Sequence, residues 1–517
     1  MLLGLLSLSV IVGIDQRTRA AVGEETVRID GIPSKQGVEG EPYELAGNRV
    51  IFTNWYYVDP GDLDWRDDRG KSVYVKGNVD MLGAHFVGIR SPIGIELEAQ
   101  KPSIMGPIFL PNRSIVHDGK LYKGWTNNEY YESADGIHWT KKANIIFKGP
   151  YEVDIYDVFL DPTAPPAERF KNIWADEMSR DEFNAFLKKR PDGWAPRGLT
   201  LLQDNKVECV RGGYSSDGIT WTSLPDPLVV DYCDTLNTCY YDTVLRKYVM
   251  YTRIWSVGPQ SRKVPVDLRN SWTNIGRRAI GRSESSDFHS FPPAQMIVEP
   301  TPSMRPSEQI YTNCHTTPPG APDIHMMFPA IWNGSVTDTT RIAMLSSHDG
   351  KVWNWVPGGE HLIETQPFGQ WNGGCVWTTP SLVELPDGDW ALPYYANNVP
   401  HKYPRGQRTS GTGYAIWPKG RMVALEAAQR GQFTMIPLIV PGSKLKINAL
   451  TLRTGWIKVG VLGKGGRSIN ECVPIVGDQF WKQVKWNNAD DIGAKPNEPV
   501  RLVFELYQAK LFGLEFD

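Results

Sequence analysis

Three acidic side chains lie near the predicted starts of strands in three neighbouring repeats of the chain: Asp154, Asp234 and Glu308. When the repeats are aligned on their turns, Asp234 falls opposite Glu308, and Asp154 falls at the same level. Asp157, three residues further along, is the alternative to Asp154. Carboxyl groups that meet in one pocket can divide acid and base roles between a protonated and an ionised group. Any one of these acids could equally cap a turn or stay solvated.

A short motif, Ser-x-Asp-Gly-x-x-Trp, recurs along the chain and marks the elements that would position these acids. Complete copies begin at Ser133, Ser215 and Ser347, and a copy at Ser285 keeps the aspartate and an aromatic residue but lacks the glycine. Asp-Gly between strand-like runs is a strong hairpin signal, because both central residues of a tight hairpin favour left-handed backbone angles. Each motif therefore predicts a hairpin followed by an aromatic anchor.

A strand–turn–strand pattern also recurs and occurs five times along the chain. The five segments are 114–125, 157–174, 237–253, 312–329 and 381–395. Four of them lead into the hairpins above, and the fifth leads into 412–427, where the hairpin signal has decayed. Units of four strands, spaced roughly 60 to 80 residues apart, predict a five-bladed β-propeller. A repeated β-sandwich is the alternative, although sandwiches rarely share a hairpin motif.

Segments outside the repeat complete the predicted domain organisation around a propeller of residues 104–431. Residues 24–103 are strand-like but out of phase with the repeat, and they predict an N-terminal extension that packs on the propeller and could supply a closing strand. Residues 180–198 are polar and helix-permissive, which predicts a surface insertion. Residues 432–517 alternate apolar and polar side chains between glycine turns, which predicts a small C-terminal β-sandwich.

The composition favours an all-β chain and excludes several classes of partner. Aromatic residues make up 11% of the chain, with 19 Trp, and 49 Gly and 39 Pro provide many turns. A net charge of −3 provides no basic field for nucleic acid. No apolar run has the length of a membrane span. Most tryptophans, including those of the motif, are expected to pack between blades.

The first residues predict export to the periplasm or the extracellular space. Residues 1–23 contain an apolar stretch of about 13 residues and then small residues suited to cleavage, as in a secretory signal, although its usual basic start is missing. A buried first strand is the alternative. The six cysteines lack any Cys-x-x-Cys pair, which excludes the common zinc spacings, and they are expected to be buried. No cofactor is predicted, although a structural Ca²⁺ bound by scattered oxygens would leave no sequence pattern.

The segments "ESADGIHWTKK", "FLDPTAPPAERFK", "SSDGITW" and "RRAIGRSESSDFHSF" together resemble the five-bladed propeller glycosidases related to glycoside hydrolase families 32 and 43. The resemblance covers most of residues 104–517 and includes an appended β-sandwich. Invertase-type signatures do not occur in their usual order. The Asp-Pro of "NWYYVDPGD" precedes the first repeat, and Glu208-Cys209 of "VECV" falls on a late strand of the second unit. Neither match transfers a catalytic role, and a fold alone does not give an activity.

The resemblance implies a carbohydrate substrate and a site of three carboxyl groups. It suggests Glu308 as general acid, Asp154 as base or nucleophile, and Asp234 as the partner that orients them and tunes their pKa values. Asp157 is then a substrate-binding candidate.

Further substrate-binding candidates come from the later repeats. Trp371, His315 and His401 could form platforms and donors for a sugar, and Arg253 could bind the carboxylate of an acidic sugar. His315 is equally well explained as a strand histidine with satisfied hydrogen bonds.

Three functions fit this pattern. The first is an exported glycoside hydrolase that removes terminal sugars, since a funnel-shaped pocket favours attack at chain ends. The second is a polysaccharide lyase on the same scaffold, in which His315, His401 and Arg253 would matter more than the carboxyl groups. The third is a glycan-binding propeller that has lost its catalytic acids.

Overall fold

The computed structural model describes residues 42–66, 69, 85–89, 91–195, 206–231, 233–256 and 276–517. The predicted leader, residues 1–23, and the start of the predicted extension lie outside these residues. Within them the secondary structure is almost entirely β, which confirms the predicted all-β class. None of the helices in these ranges has the length and apolar character that a membrane crossing requires.

Six short strands precede the repeated sheets. They are β1 (Tyr43–Glu44), β2 (Arg49–Ile51), β3 (Asp62–Arg66), β4 (His85–Ile89), β5 (Glu96–Ala99) and β6 (Ser103–Ile108). Strands β3 and β4 pair only with each other among the described residues. The others join sheets that are formed much later in the chain.

The first three repeated sheets are antiparallel and follow one another along the chain. Sheet 1 contains β7 (Ser114–His117), β8 (Tyr122–Trp125), β9 (Glu129–Ser133) and β10 (Thr140–Asn144). Sheet 2 contains β12 (Asp157–Leu160), β13 (Phe170–Ser179), β14 (Lys206–Ser215) and β15 (Thr220–Ser223), with β11 (Ile146–Lys148) parallel to β15 at its edge. Sheet 3 contains β16 (Thr238–Asp242), β17 (Lys247–Ser256), β18 (Arg277–Ser285) and β19 (Gln295–Val298).

The next two sheets depart from simple four-strand order. Sheet 4 has two parts, β20 (Glu308–Ile310) with β23 (Ala330–Asn333) and β24 (Thr340–Ile342), and β21 (His315–Thr316) with β22 (His325–Met327), β25 (Leu345–Ser347) and β26 (Asn354–Trp355). Sheet 5 contains β27 (Cys375–Thr378), β28 (Val383–Glu384), β29 (Trp390–Asn397) and β30 (Ser410–Trp417), and its outermost strand is β6. The N-terminal segment therefore supplies the closing strand.

Contacts between the sheets run around a closed circle, as in a propeller. Strand β7 contacts β12, β12 contacts β16, β18 contacts β20, β24 contacts β27, and β28 returns to β7. Apolar clusters fill the spaces between neighbouring sheets, with Trp221 fully buried and Trp139 and Trp353 packed against the clusters beside them. This agrees with the prediction that the motif tryptophans lie between blades.

The recurring motif ties one sheet to the next. The Ser215 hydroxyl oxygen accepts a hydrogen bond from the Gly218 N–H at 2.9 Å, and the Asp217 carboxylate accepts the N–H groups of the next two residues after the glycine at 2.8 Å. The carbonyl oxygen of Gly218 accepts the indole N–H of Trp221 from the same motif at 3.0 Å and that of Trp125 from sheet 1 at 2.7 Å. A single carbonyl group thus links two sheets.

The same link recurs elsewhere in the circle. The Tyr251 hydroxyl of sheet 3 donates to the Gly350 carbonyl at 2.9 Å, and the Tyr414 hydroxyl of sheet 5 donates to the Gly136 carbonyl at 2.7 Å. The turn itself differs from the two-residue hairpin that the sequence predicts. Residues 134–139 separate β9 from β10, and the positive φ, 76°, belongs to Gly136. The aspartate contributes through its side chain, so no left-handed aspartate is needed.

Strand β31 (Val423–Thr434) begins the C-terminal module, followed by β32 (Leu438–Ile439), β33 (Leu445–Val461), β34 (Asp478–Gln483) and β35 (Leu502–Phe516). Their order is β34-β33-β35-β31, and β33 and β35 are long strands whose pairing shifts at bulges, which bend a strand. The predicted boundary between residues 431 and 432 falls inside β31, so the module starts earlier, at Val423.

The N-terminal extension pairs mainly with the C-terminal module. Strand β1 runs parallel to β32, β2 pairs with β35, and β5 pairs with β31. Its contacts with the propeller include side-chain contacts, such as Arg49 with Glu384 of sheet 5 at 2.8 Å and the Tyr43 hydroxyl with Asp323 at 2.6 Å, and the backbone hydrogen bond from the Arg49 N–H to the Gly320 carbonyl at 3.0 Å. The extension predicted to pack on the propeller therefore connects both parts of the molecule.

One α-helix, α1 (Arg180–Lys189), lies in the predicted insertion of the second unit. Ser179 caps its N-terminus, since the hydroxyl oxygen accepts the Glu182 N–H while the Glu182 carboxylate accepts the Ser179 N–H. Short 3₁₀ helices span Pro166–Glu168, Arg405–Gln407 and Pro418–Gly420. All six cysteines are free thiols, and all six are buried, as the sequence predicts.

Candidate active site in the central cavity

A cavity of about 780 Å³ opens where the sheets begin. Its wall takes residues from the segments before β7 (109–110 and 112–113), before β12 (Tyr156), before β16 (234–236) and before β21 (311–312). It also takes residues from the end of β27 (377–379) and from the loop that joins β29 to β30. Because these segments are far apart in sequence and meet only through the circular arrangement, the cavity collects side chains that no single repeat could supply.

Aromatic side chains form much of the wall. They are Phe109, Tyr156, Tyr311, Trp377 and Tyr395. The Tyr311 and Trp377 ring centroids lie 5.0 Å apart, and Trp377 stacks with Tyr395 at 6.2 Å. Flat apolar faces beside polar groups suit a ring-shaped ligand that is apolar on one face and polar at its edges.

Asp234 is the carboxylate among the residues that line this cavity. Arg253, buried on β17, donates to the Asp234 carboxylate through one guanidinium nitrogen and to the Tyr311 carbonyl at 3.0 Å through another. Its guanidinium lies 4.2 Å from the centre of the Tyr311 ring. The arginine therefore fixes Asp234 and the aromatic wall from beneath, whereas the sequence predicted that it would bind substrate directly.

Glu208 lies beside Asp234 and does not belong to the predicted set. Its carboxylate accepts the Cys233 N–H at 3.0 Å, and the residue is 7% exposed. Burial, followed by the neighbouring charge of Asp234, raises the pKa of Glu208 to about 8. A carboxyl group that stays protonated at neutral pH thus lies next to one that is paired with an arginine.

Asp154 lies at the edge of the same region, next to Arg113 of the cavity wall. The Arg113 guanidinium is 3.8 Å from the Asp154 carboxylate and 4.4 Å from the centre of the Tyr156 ring. Burial raises the pKa of Asp154, the Arg113 charge opposes this, and the charge of Asp176 adds to it. Asp154 is half-exposed and outside the cavity lining, but it belongs to the same group of charges.

His401 lines the cavity, in agreement with its predicted position. Its Nε2 is hydrogen-bonded to the Tyr311 hydroxyl at 3.1 Å, and its ring meets Trp377 edge to face at 5.4 Å. Burial, with help from the positive charge of Lys402, lowers the pKa of His401 to about 4. The imidazole is therefore neutral at physiological pH and can accept or donate a hydrogen bond.

Glu308 does not meet the other two predicted acids, and its predicted role is corrected. It lines a separate cavity of about 810 Å³ and forms an ion pair with Arg341 at 2.5 Å. Although burial raises the pKa of Glu308, the Arg305 N–H and the Arg341 charge outweigh burial and hold it below its usual value. The residue of sheet 4 that faces Asp234 across the central cavity is Tyr311.

Asp157 and His315 lie in the interior rather than at the cavity. The Asp157 carboxylate accepts the Cys239 N–H of sheet 3 at 2.6 Å, and burial raises its pKa to about 7. His315 stacks on Tyr240 at 4.3 Å, and its Nε2 lies 3.2 Å from His325 Nδ1. Burial and then the Arg282 charge lower the pKa of His315 to about 3. Both predicted ligand contacts are therefore corrected to structural ones.

Trp371 packs against the fifth sheet. Its ring lies 5.6 Å from that of Tyr394 and within contact of the space beside Gly106 and Gly411. It is not among the residues that line the central cavity. Trp377, six residues later, takes the wall position that Trp371 was predicted to take.

The most informative residue that the sequence prediction passed over is Glu208. It lies on the third strand of sheet 2, in the Glu-Cys pair that resembles an invertase signature. Strands β13 and β14 have ten residues each, whereas β12 has four, so their paired ends extend past the start of β12. In the sequence, the length of these two strands is visible as an unbroken strand-like run. That run is the signal that could have predicted the position of Glu208.

Comparison with known proteins yields structural likeness alone. No protein-family model matches the chain, and no curated protein matches it. Similar solved structures include a thermostable family-43 glycoside hydrolase (11% identity, 62% of this chain and 97% of that chain, TM-score 0.39). They also include the Bombyx mori family-32 β-fructofuranosidase BmSUC1 (9%, 83% and 94%, 0.34) and an N-acetylgalactosamine deacetylase from F. plautii (13%, 70% and 96%, 0.33).

Families 32 and 43 are those that the sequence motifs resemble. At these identities and TM-scores the likeness assigns no role to any residue of this chain, and the roles below rest on its own geometry. Among the described residues, no group of three or more His, Cys, Asp and Glu side chains is arranged to hold a metal ion.

Proposed function

We propose that the chain is a glycoside hydrolase whose reaction takes place in the central cavity. The observation that supports this most strongly is the position of Asp234, which Arg253 fixes on the aromatic wall beside Glu208, a buried carboxyl group whose pKa is raised. Cleavage of a glycosidic bond requires one carboxyl group that donates a proton and one carboxylate that attacks carbon or activates water. Environments that move two carboxyl groups apart in pKa assign these roles.

Asp234 takes the role of the ionised carboxylate. It faces the cavity and is held in place by its ion pair with Arg253. Glu208 takes the role of the proton donor, because its pKa of about 8 keeps the proton available at neutral pH. Asp154, with Arg113, contributes a third carboxyl group at the opposite edge and sets the charge of that side.

The test is product release by the purified chain from a panel of plant and algal oligosaccharides. Wild type is expected to release a sugar with incorporation of one oxygen from isotopically labelled water, because hydrolysis adds water across the bond. Asp234→Asn should abolish release while retaining binding of the same oligosaccharide. Loss of both binding and release would indicate misfolding, whereas unchanged release would contradict the assignment.

A polysaccharide lyase is the second candidate, and one observation favours it. The Tyr311 hydroxyl and neutral His401 are hydrogen-bonded inside a cavity that arginines also line. Tyrosine or histidine could remove a proton beside a uronate carboxylate that arginine neutralises. A lyase product carries a new double bond and takes no oxygen from water, so ultraviolet absorbance and isotope incorporation distinguish the two reactions.

We extend the proposal to an exported enzyme that acts at chain ends. A cavity bounded by segments from each sheet, rather than an open groove, supports attack on a terminal sugar. Export rests on residues 1–23. Sequencing of the mature N-terminus after expression with the native start tests export, since a secreted protein cleaved near residue 20 is expected. Intracellular retention of the uncleaved chain would contradict it.

A further inference from the structure

Arginine side chains dominate the charge of the central cavity. Among the described residues that line it, Arg113, Arg405 and Arg408 are arginines, while Asp234 is the one carboxylate and is already paired with Arg253. The chain as a whole has a net charge of −3. A positive cavity in a negative chain is a local feature of the site, because clefts lined by one sign of charge concentrate their field on a ligand.

Two of these arginines come from one loop between β29 and β30. The 3₁₀ turn Arg405–Gln407 presents them, and the Arg408 N–H donates to the Arg405 carbonyl at 3.1 Å. Asn398 holds the base of the loop, since its side-chain oxygen accepts the Thr409 N–H at 2.7 Å. The loop is thus built to hold Arg405 and Arg408 at the cavity wall.

The positions of Arg405 and Arg408 leave their charges available, whereas Arg113 already has partners. The half-buried Arg113 lies 3.8 Å from the Asp154 carboxylate and donates through its Nε to the side chain of Asn127. Arg405 is exposed, and Arg408 is half-buried at the wall. Guanidinium groups form paired hydrogen bonds with carboxylate and sulfate oxygens, which share the same spacing of acceptors. A neutral sugar would offer Arg405 and Arg408 no charged group to bind.

We propose that the cavity selects an anionic saccharide, with Arg405 and Arg408 binding a carboxylate or sulfate group while the ring stacks on the aromatic wall. This inference rests on the proposed function for the identity of the ligand as a saccharide. It adds that the sugar carries a negative charge and that Arg405 and Arg408 bind the charged group. These two arginines are separate from the acids Asp234 and Glu208. The low pKa of His401, to which the Arg408 charge contributes, agrees with a positive field at this wall.

The test measures binding of full-length protein to matched pairs of oligosaccharides. One pair is an oligogalacturonate and its methyl ester, and the other is a sulfated galactan oligosaccharide and its desulfated form. Wild type is expected to bind at least one charged member about tenfold or more tightly than its neutral partner. That preference should shrink as the salt concentration rises from roughly 0.05 to 0.5 M, because the distance over which charges interact becomes shorter. The pair that shows the preference identifies carboxylate or sulfate as the anion.

Variants decide which residues are responsible. Arg405→Gln with Arg408→Gln should weaken binding of the charged member by about tenfold or more and leave the neutral member unchanged. Arg430→Gln with Arg453→Gln is the matched control, because both are exposed arginines of the C-terminal module and their loss removes the same two charges elsewhere. Near-ultraviolet circular dichroism confirms that each variant is folded.

The possible results separate this inference from the proposed function. No binding of any charged member, equal binding of charged and neutral members, or unchanged binding by the double variant would each overturn the inference. Charged oligosaccharides that bind but release no product would support the inference and contradict hydrolysis. Release of product from neutral oligosaccharides, without any preference for charged ones, would support hydrolysis and contradict the inference.

Discussion

Two cavities of similar volume lie around acids that the repeat pattern placed at one level. The central cavity contains Asp234, and the second cavity contains Glu308. Asp234 is backed by a buried arginine and lies beside a carboxyl group of raised pKa. Glu308 is held in its charged form by Arg341 and a backbone N–H. A position at a strand start therefore does not define a site; the surroundings of the carboxyl group do.

The largest effect is expected from Asp234→Asn, with Glu308→Gln as the matched change in the other cavity. Asp234→Asn should lower the rate of product release by about 10³-fold or more, since it removes the attacking or activating carboxylate. Glu308→Gln should change the rate by less than about twofold. Initial rates on the most active oligosaccharide measure both. Equal losses in the two variants would remove the distinction between the cavities.

Glu208→Gln sharpens the account of the central cavity. It should lower the rate at neutral pH by about 10²-fold, because the amide cannot donate a proton. In wild type, activity should fall as pH rises through about 8, where Glu208 loses its proton. The residual activity of the variant should lack this alkaline fall. An alkaline limb that stays in place in the variant would assign the proton donor to another residue, with Asp154→Asn as the next change to measure.

Tyr311→Phe separates the two reactions that the central cavity could perform. The variant loses the hydroxyl that is hydrogen-bonded to His401 but keeps the ring that packs on Arg253. A hydrolase should retain activity within about tenfold, since the phenol only positions its neighbour. A lyase that uses this phenol as base would lose activity by about 10³-fold. Rates of product release and the absorbance of the product distinguish the cases.

The smallest effect concerns the pH dependence of the free energy of unfolding. Glu208 and Glu308 should change it in opposite directions. Glu208 has a raised pKa in the folded state, so its contribution is present below its ordinary pKa and is lost as pH rises through about 8. Glu308 has a lowered pKa, so its contribution is present above its ordinary pKa and is lost as pH falls through the folded value.

Thermal unfolding of the two variants across pH tests these signs. Glu208→Gln should flatten the decline of Tm toward pH 8 and leave the acid side unchanged. Glu308→Gln should lower Tm by a few degrees at neutral pH, as expected from the loss of a half-buried ion pair worth about 1 kcal/mol, and the difference from wild type should vanish at acid pH. The same pH dependence in both variants would contradict the assigned environments.

The sequence predicted the architecture well because its signals are local. Each Ser-x-Asp-Gly-x-x-Trp copy closes its own turn through hydrogen bonds within six residues, and the glycine carbonyl then meets a tryptophan or tyrosine of the neighbouring sheet. The all-β class and the strand–turn–strand units follow from such short-range patterns. The module boundary was less accurate, since β31 continues without a turn across the predicted boundary.

The candidate site was harder to predict because it depends on register and strand length. Sheet 4 has an additional pairing of β20 with β23, and Glu308 lies on β20, three residues before Tyr311, the residue that reaches the cavity. Glu208 reaches Asp234 only because β13 and β14 extend past β12. Asp234 and His401 both line the cavity; Asp234 lies in the short segment before β16, and His401 lies in the loop between β29 and β30.

The most direct test of the central claim is a crystal structure of the Asp234→Asn variant soaked with the oligosaccharide that wild type cleaves. The account predicts a sugar ring against Tyr311 and Trp377, its glycosidic oxygen within hydrogen-bond distance of Glu208 and its neighbouring carbon next to residue 234. A saccharide seated instead beside Glu308 and Arg341, with the central cavity empty, would contradict it.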